Sequence, residues 1–588
     1  MRPEPSAAGA PPPRPRDAKE IGFERKSMVR WLSPRVLIEA GLRVVISTLF
    51  GQYADKREFQ AALDPQPGPP VAYGEVDEED GALWLDFVAD LGDGFDSTYA
   101  VASVLGRPRL DLTIDERSHE LPRGRGLIMG GDQVYPVATR EEYENRFRGP
   151  YEAALPWTTG ERPDLLAIPG NHDWYDGLTN FLRFFCAGRD IGAWRTRQKR
   201  SYFALRLPRH WWLLAIDIQL DTFIDEPQLE YFQKIGLSEG DRVILVTGKP
   251  SWTKVRPGHE PDSYKNLRYF TEHVVAAAGA VVAVTLTGDL HHYARYEADD
   301  GTQLITAGGG GAYLFPTHKL KPRLELPDHE QPYRLAVCFP AARESRRMAR
   351  GAWRLPLLAP GLAVAIALVY AAIGASLYAA LDAGPGFFAA VAAVGLALLV
   401  SLVVYSAAES KLGRVLLGGA HAAAHLALAA VPPIVGDLVL GADGLLAGFI
   451  VALASGAIGL TLGGVAFGLY LVISHPFAPK HVNDVLACQA IPDYKNFLRL
   501  RLDERGLTIY PIGIRRVPRK WAPAPDDGVD APWLRPTDRE LEAELIEAPI
   551  EVPADTGHAG DGQRAERVAV ARPAGSFNVA SEEETNGR

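Results

Sequence analysis

Four long apolar runs in the second half of the chain constrain its fold more than any other feature. As a helix rising about 1.5 Å per residue, each is long enough to cross a hydrocarbon core of about 30 Å. The runs are Leu355–Leu381, Phe387–Ala408, Val415–Leu440 and Leu445–Ser474. The alternative, a soluble helical bundle, needs far more charge on its outer surface than these runs carry. We therefore predict an all-α domain of four transmembrane helices over residues 355–474.

Basic residues predict the orientation of these helices. Five arginines precede the first run, Lys411 and Arg414 separate the second from the third, and Lys480 follows the fourth. The two remaining separators contain no lysine or arginine. Positive residues near span ends favour the cytoplasmic side. Three widely spaced cysteines and the lack of an apolar signal core agree with this. We predict an integral protein, located in the plasma membrane, with cytoplasmic N-terminal and C-terminal domains.

Three short polar motifs stand out in the first half of the chain. They are Asp90-Leu-Gly-Asp93, Gly131-Asp132-Gln-Val-Tyr135 and Gly170-Asn171-His172-Asp173. Each follows an apolar run that we predict to be a buried strand, namely Leu83–Ala89, Gly126–Met129 and Leu165–Ile168. Loops at the carboxyl ends of strands are where open α/β sheets bind ligands. Carboxylate, phenol, amide and imidazole groups without thiolate suit Mn, Fe, Zn or Mg ions.

At these motifs the chain resembles the calcineurin-like metallophosphoesterases, in the pattern of the purple acid phosphatases. The resemblance covers roughly Leu83 to His318, which is under half of the chain. It implies a two-sheet α/β metallophosphoesterase sandwich, here followed by the four transmembrane helices. It also implies a metal-dependent phosphoric ester hydrolase that attacks its substrate with a metal-activated water.

The resemblance implies roles for individual residues and two divalent or trivalent ions (Mn, Fe, Zn or Mg). The first ion is expected on Asp90, Asp132, Tyr135 and His291. Asp132 is expected to bridge both ions and Asn171 to bind the second. His172 is expected to donate a proton to the leaving alkoxide, a role that suits imidazole near neutral pH.

Two positions depart from the family pattern. The strand Val243–Thr247 ends in Gly248-Lys249, where the family has a histidine. Asp289 stands where the family has the first histidine of its last motif, and a carboxylate is a competent hard ligand. Three readings stay open: two ions with water filling the gap, one ion with Lys249 as a catalytic phosphate anchor, or a signalling or scaffold module that has lost catalysis.

The glycine run Gly308–Gly311 invites comparison with a phosphate-binding loop. No Gly-Lys-Ser/Thr follows it, so a nucleotide P-loop is not indicated. We interpret the glycines as letting the backbone pass close to the metal site, with a flexible turn as the alternative.

Composition divides the rest of the chain. We predict a disordered N-terminus over 1–27, an amphipathic helical segment over 28–70, the phosphoesterase domain over 71–341, and a hairpin segment over 475–521 that packs on that domain. An acidic disordered tail is predicted over 522–588, with a short helix near Arg539–Glu547. The amphipathic segment fits two interpretations equally, a helix on the membrane surface or one packed against the enzyme domain.

Partners are only partly specified. A phosphoester substrate and the lipid bilayer are expected, the class of substrate and any protein partner are not indicated, and no nucleic-acid-binding motif is present. His421 and His425 lie four residues apart within the third span. They fit either a ligand pair or proton relay, or neutral imidazoles that hydrogen-bond neighbouring helices, and we favour the second interpretation.

Overall fold

The computed structural model describes residues 11–50, 55–63, 68–74, 81–218, 223–381, 385–406, 408, 410–440, 444–478 and 481–554. Its α-helices are α1 Pro34–Phe50, α2 Lys56–Leu63, α3 Phe95–Leu105, α4 Arg140–Glu142, α5 Gly149–Ala154, α6 Thr179–Phe185, α7 Glu226–Lys234, α8 Asp262–Phe270, α9 Ala342–Ala349, α10 Leu355–Leu358, α11 Pro360–Ala380, α12 Pro385–Ser406, α13 Lys411–Leu440, α14 Leu445–Ile458, α15 Gly464–Ser474 and α16 His481–Ala487.

The strands are mostly short and follow the apolar runs of the sequence. They are β1 Val71–Ala72, β2 Leu83–Val88, β3 Arg109–Ile114, β4 Arg117–Pro122, β5 Gly126–Met129, β6 Asp164–Ala167, β7 Arg195–Thr196, β8 Phe203–Leu207, β9 Trp211–Ile216, β10 Arg242–Thr247, β11 Val281–Thr287, β12 Tyr293–Glu297, β13 Gln303–Ala307, β14 Arg323–Leu324, β15 Tyr333–Phe339, β16 Lys495–Asp503, β17 Gly506–Ile514, β18 Trp521–Pro523, β19 Leu534–Pro536, β20 Glu544–Leu545 and β21 Ile550–Pro553.

Two large mixed sheets organise the soluble part. One has the strand order β1-β8-β9-β10-β11-β13-β12-β15-β14, and the other has the order β20-β17-β16-β2-β5-β6-β7 with β21 beside β17. Their facing sides share one apolar core, in which Leu85 and Phe87 of β2 lie with Leu213 and Ile244 of the other sheet. Strand β2 is buried along its whole length because both of its faces are covered. The mixed α/β class expected from the sequence is confirmed.

Helices cover the outer faces. Helices α3 and α5 pack on the sheet that contains β2, and α7 and α8 pack on the other sheet. Within each sheet the central strands run parallel: β2, β5 and β6 in one, and β9, β10, β11 and β13 in the other. Parallel strands bring their carboxyl ends to one edge, which positions the loops that follow them.

The chain returns to the soluble sheets after the fourth span. Strands β16 and β17 form the hairpin expected from the alternating pattern, and β16 pairs antiparallel with β2 from Leu498 to Leu502. Arg499 of β16 forms a buried ion pair with Asp86 of β2, with Nε at 2.7 Å from Oδ1. A strand from beyond the four long apolar helices thus lies beside the first strand of the site.

The expectation of disorder was wrong for much of both termini. Residues 521–554 form β18 to β21, and the helix expected at Arg539–Glu547 is not formed, since this stretch contains β20 instead. Arg14 donates to carbonyl oxygens of Ala524, Ala531 and Pro532, so residues 11–27 are also placed. Composition does not predict order in these segments, because each is held in place by contacts with residues distant in sequence. Residues 1–10 and 555–588 lie outside the described residues.

Among the described residues, four helices are long and apolar enough to cross a membrane: Pro360–Ala380, Phe388–Ser406, Lys411–Val439 and Leu445–Ser474. The last joins α14 and α15 through one π-helical turn. His425 hydrogen-bonds His421 at 2.9 Å and the hydroxyl of Tyr370 on α11 at 2.6 Å. The imidazoles therefore link neighbouring helices, as the favoured interpretation expects.

Candidate active site

Loops at the carboxyl ends of five parallel strands contain the candidate residues. Asp90 follows β2, Asp132 follows β5, Asn171 and His172 follow β6, Lys249 follows β10, and Asp289 and His291 follow β11. Three of these strands, β2, β5 and β6, belong to one sheet, and two, β10 and β11, belong to the other. The two sheets face each other across a shared core. The structure thus brings the predicted residues of both sheets to one end of the sandwich.

Three of the candidate ligands adopt a left-handed backbone. The φ angles are 58° at Asp90, 51° at Asp132 and 67° at Asp289. Residues other than glycine seldom adopt this conformation, and such residues cluster at functional sites. The same geometry at three carboxylates from three loops indicates a constraint on where their side chains point.

Glycines surround these carboxylates at close range. A Cβ at Gly170 would lie 2.1 Å from Oδ1 of Asp132, and one at Gly308 would lie 2.4 Å from Oδ2 of Asp90. The other glycines of the Gly308–Gly311 run also approach backbone or side-chain atoms closely. The interpretation of this run as a close backbone approach is therefore confirmed, and the flexible-turn alternative is not supported.

The hydroxyl of Tyr135 lies at the centre of the expected first-ion ligands. Its oxygen is 2.8 Å from Oδ1 of Asp90, 3.3 Å from Oδ2 of Asp132 and 3.1 Å from Nε2 of His291. His291 Nδ1 lies 2.8 Å from the carbonyl oxygen of Tyr313 and donates to it, which leaves the Nε2 lone pair facing the cluster. Metal-binding histidines commonly use their second nitrogen in this way.

His172 is held by two contacts. Its backbone N–H donates to Oδ1 of Asp132 at 2.8 Å, and its Nδ1 lies 2.9 Å from the carbonyl oxygen of Pro136. The neighbouring Asn171 uses its amide nitrogen to contact the hydroxyl of Tyr175 at 3.0 Å. His172 is therefore fixed in orientation, and Nε2 is its remaining ring nitrogen that can exchange a proton.

Burial and mutual repulsion shift the titration of the site. Burial, followed by the charge of Asp132, raises the pKa of Asp90 well above its ordinary value. Burial, followed by the charge of Asp289, raises the pKa of Asp132 to about 7. Burial lowers the pKa of His172 to about 4. Carboxylates packed this closely favour a nearby cation, which would relieve their repulsion.

Lys249 and Asp289 both lie close to the bridging candidate Asp132. Burial lowers the pKa of Lys249 to about 8, and the charges of Asp289 and Asp132 oppose this shift. Asp289 in turn acts on the pKa values of Asp90 and Asp132, so its carboxylate faces the same cluster. The two departures from the family pattern thus place one anion and one cation beside the expected second ion.

Supporting residues that the sequence did not single out anchor the loops. Asp93 accepts from the backbone N–H of Val29 at 2.7 Å and of Tyr313 at 3.0 Å. Asp173 accepts from the hydroxyl of Tyr143 at 2.5 Å and from the N–H of Gly170 at 2.9 Å. Both aspartates belong to the quoted motifs, so the motifs already indicated that these positions matter to the site.

Lys495 of β16 is a fully buried cation behind the site. Its Nζ donates to the carbonyl oxygen of Ala312. Burial lowers its pKa to about 8, opposed first by the charge of Asp93 and then by those of Asp493 and Asp90. No local pattern in the hairpin predicts this position, because Ala312 and Asp93 come from loops more than 180 residues earlier.

Trp31, in the segment before α1, covers one side of the site. Its ring centroid lies 5.6 Å from that of His172, 5.9 Å from that of Tyr135 and 5.8 Å from that of Tyr313. Within the described chain, its buried indole N–H has no hydrogen-bond partner. Helix α1 then contacts the turn Asp173–Asp176 and the first span. Trp31 and α1 of the 28–70 segment are therefore in contact with the domain that contains the site.

The donor set offers carboxylate, phenol and imidazole groups to a metal ion. Among the described residues, no three His, Cys, Asp or Glu side chains are grouped as a ready-made site. However, Asp90 Oδ2 is buried and has no hydrogen bond of good geometry in the part of the chain described, although the backbone of Asp289 lies near. This orphaned oxygen, the converging Tyr135 and His291, and the glycine cradle fit a hard cation.

Comparisons with known proteins give weak likenesses. No family model and no curated protein matches the chain. Among solved structures, GAP50, described as the anchor in the inner membrane complex of Plasmodium, is 13% identical over 43% of this chain and 78% of its own, with a TM-score of 0.28. PhoD is 10% identical over 46% of this chain and 63% of its own, with a TM-score of 0.28. Purple acid phosphatase PPD1 from yellow lupin (Lupinus luteus) seeds is 12% identical over 46% of this chain and 49% of its own, with a TM-score of 0.26. TM-scores of this size do not establish a common fold.

Proposed function

We propose that this protein is a membrane-anchored, metal-dependent phosphoesterase. The observation that carries the proposal is the convergence of Asp90, Asp132 and His291 on the hydroxyl of Tyr135. This cluster lies at the carboxyl ends of strands, and His291 is oriented by the carbonyl of Tyr313. Such an arrangement pre-positions oxygen and nitrogen donors for a cation.

An ion on Asp90, Asp132, Tyr135 and His291, with Asn171 and Asp289 toward a second, would polarise a phosphoryl oxygen and acidify a water. Phosphate binding and proton transfer would be carried out by side chains of the protein itself. Lys249 offers a cation to the phosphate oxygens, since it lies by Asp132 and Asp289. His172, fixed through Nδ1, can exchange a proton with the leaving oxygen only through Nε2. Because burial lowers its pKa to about 4, the protonated form that donates is a minor fraction near neutral pH.

The membrane helices determine where this activity takes place. With the enzyme domain and the C-terminus on the cytoplasmic side of the plasma membrane, as the basic residues suggest, hydrolysis occurs at the inner surface of the bilayer. A cysteine placed in one of the two separators that contain no lysine or arginine should then react with an impermeant reagent added from outside.

One observation favours a second candidate, a phosphoesterase-like signalling or scaffold module without catalysis. Lys249 places a positive charge beside the carboxylates expected to bind the second ion. That charge could replace the ion and leave a site that binds phosphate without hydrolysing it. Turnover of any phosphoester by the purified protein separates the two candidates.

Replacing the bridging carboxylate tests the proposal. Asp132→Asn keeps the shape but removes the charge, so turnover of an aryl phosphate with Mn should fall by at least roughly 100-fold, more than a supporting residue costs. Bound metal, measured by mass spectrometry, should also fall. Asp111→Asn, an exposed aspartate of β3, is the matched control and should change neither. Full turnover and full metal content in Asp132→Asn would overturn the proposal.

A further inference from the structure

A small cavity of about 270 Å³ lies beside the candidate active site. Leu290 and His292, which flank the candidate ligand His291, form one wall, and Phe315 lies in the cavity with its ring centroid 4.1 Å from that of His291. Thr253, from the loop after Lys249, lines another side. The cavity therefore shares two loops with the proposed catalytic machinery.

The opposite wall of the cavity comes from the chain just after it leaves the fourth span. Val482 and Asn483 of α16 line it. Asn483 hydrogen-bonds the hydroxyl of Tyr313 at 3.0 Å, and the carbonyl of Tyr313 holds His291. Lys319, also at the cavity, donates to the carbonyl of Pro476, two residues beyond the end of α15, at 3.1 Å. The cavity thus lies between the active-site loops and the membrane-proximal end of the helices.

The lining is mostly apolar but contains one orphaned polar group. His292 is 2% exposed; the backbone of Phe315 lies near its ring, but neither ring nitrogen makes a hydrogen bond of good geometry to the described residues. A buried polar group without a partner is costly, so an imidazole in this position suits a ligand with a hydroxyl or carbonyl oxygen. The cavity is slightly smaller than the roughly 300–1,000 Å³ of pockets that hold whole small molecules.

The surroundings are basic. Lys319 and Lys321 are exposed at the cavity, and α9 packs against α16. Exposed arginines follow one another along α9 and the turn after it: Arg343, Arg346, Arg347, Arg350 and Arg354. Basic residues next to a transmembrane helix attract anionic lipid headgroups. The exposed Trp353 in the same turn suits the membrane interface.

We propose that the substrate is a phosphomonoester lipid of the bilayer, whose glycerol and first chain carbons occupy this cavity while its phosphate lies at the candidate active site. This inference rests on the proposed function and names its substrate class. A lipid fits better than a soluble ester for three reasons. The lining of the cavity is mostly apolar, one of its walls comes from the chain just after the last span, and its rim is basic. The remaining chain carbons would stay in the bilayer, since the cavity is too small to hold them.

Photo-crosslinking of phosphatidate tests binding without relying on catalysis. The full-length protein in lipid nanodiscs is irradiated with a phosphatidate analogue that has a diazirine near the glycerol, and labelled peptides are mapped. We expect labels on residues 315–320 and 481–483, lost on adding unlabelled phosphatidate but not glycerol 3-phosphate. Labels confined to the transmembrane helices, or competition by glycerol 3-phosphate, would overturn the inference.

A variant that fills the cavity provides a second arm. Val482→Trp should lower labelling roughly tenfold, because small changes of volume in an apolar pocket discriminate by about that factor. Val529→Trp, the same change at an exposed position far from the cavity, should label as the wild type does. Equal labelling of both variants would contradict the inference.

Turnover separates this inference from the function on which it rests. Phosphatidate and glycerol 3-phosphate present the same phosphomonoester with and without chains, and the wild type should prefer phosphatidate. Preference for glycerol 3-phosphate would refute the lipid assignment alone. If neither ester is hydrolysed by metal-loaded protein, the proposed function loses support, while the labelled peptides still decide whether the cavity binds lipid.

Discussion

His172 shows how single residues in the site are prepared for their proposed roles. Its backbone contacts Asp132 and its Nδ1 contacts Pro136, so the ring can offer only Nε2 to a substrate. His291 is oriented in the same manner by Tyr313. Residue types and motif order predicted these side chains. The contacts that orient them involve backbone atoms, which leave no signature in the sequence.

The role of His172 as proton donor can be tested with leaving groups of different basicity. His172→Ala should slow hydrolysis of alkyl phosphates by roughly 10²–10⁴-fold, the usual range for general acid catalysis. Activated aryl phosphates should be affected less, because their leaving groups need no proton. Plotting kcat/KM against leaving-group pKa measures this, and an equal loss for every ester would assign His172 a purely structural role.

Lys249 and Asp289 are expected to have separable roles. Lys249→Ala should raise KM and leave bound metal almost unchanged, because we expect the lysine to contact phosphate and not the ion. The exposed Lys254 of the same loop gives a matched control, Lys254→Ala. Asp289→Ala should lower metal content, and Asp289→His should restore part of it. Normal kinetics in Lys249→Ala would show that the lysine does not anchor phosphate.

Among the secondary-structure elements, strands that begin and end within one apolar run were predictable. The three strands before the motifs lie at Leu83–Val88, Gly126–Met129 and Asp164–Ala167, within one residue of their predicted bounds. The terminal segments were not predictable. Strands β19 to β21 have two to four residues each and no periodic pattern. Strand β19 forms by pairing with β18, and β20 and β21 form because β17 offers them a partner at the edge of a sheet built elsewhere.

The segment that contains Trp31 was expected to be part of an amphipathic helix, but the helix starts only at Pro34. The turn before it, at Trp31 and Leu32, places the indole near the rings of His172 and Tyr135. Nothing in its local sequence marks this contact, since the partners lie more than 100 residues away. Trp31 is thus a candidate shield of the site that sequence patterns do not reveal.

Removing this shield should loosen the proposed metal site. Trp31→Ala should speed the loss of metal to a chelator, since water gains access to the ligands, while Trp31→Phe should keep most of the protection. Trp353→Ala removes a half-exposed tryptophan elsewhere and controls for the size of the change. Metal release at the wild-type rate from Trp31→Ala would show that Trp31 does not cover the ligands.

At the scale of the whole molecule, two mixed sheets and four apolar helices account for most of the described chain. The hydrophobic periodicity and the length of the apolar runs predicted this division. The contacts between the sheets and the apolar helices were not predictable in detail, because they depend on pairs distant in sequence such as Lys319 and Pro476. Strand β16 then places a lysine from beyond the membrane segment behind the proposed catalytic loops.

Metal titration of the full-length wild-type protein tests the central claim most directly. The protein is stripped with a chelator in detergent, Mn is added back stepwise, and bound metal and aryl phosphate turnover are followed together. We predict negligible turnover without metal and recovery in proportion to bound ion, saturating at one or two per chain. Undiminished turnover in the stripped protein, or full metal binding without turnover of any phosphoester, would contradict the claim.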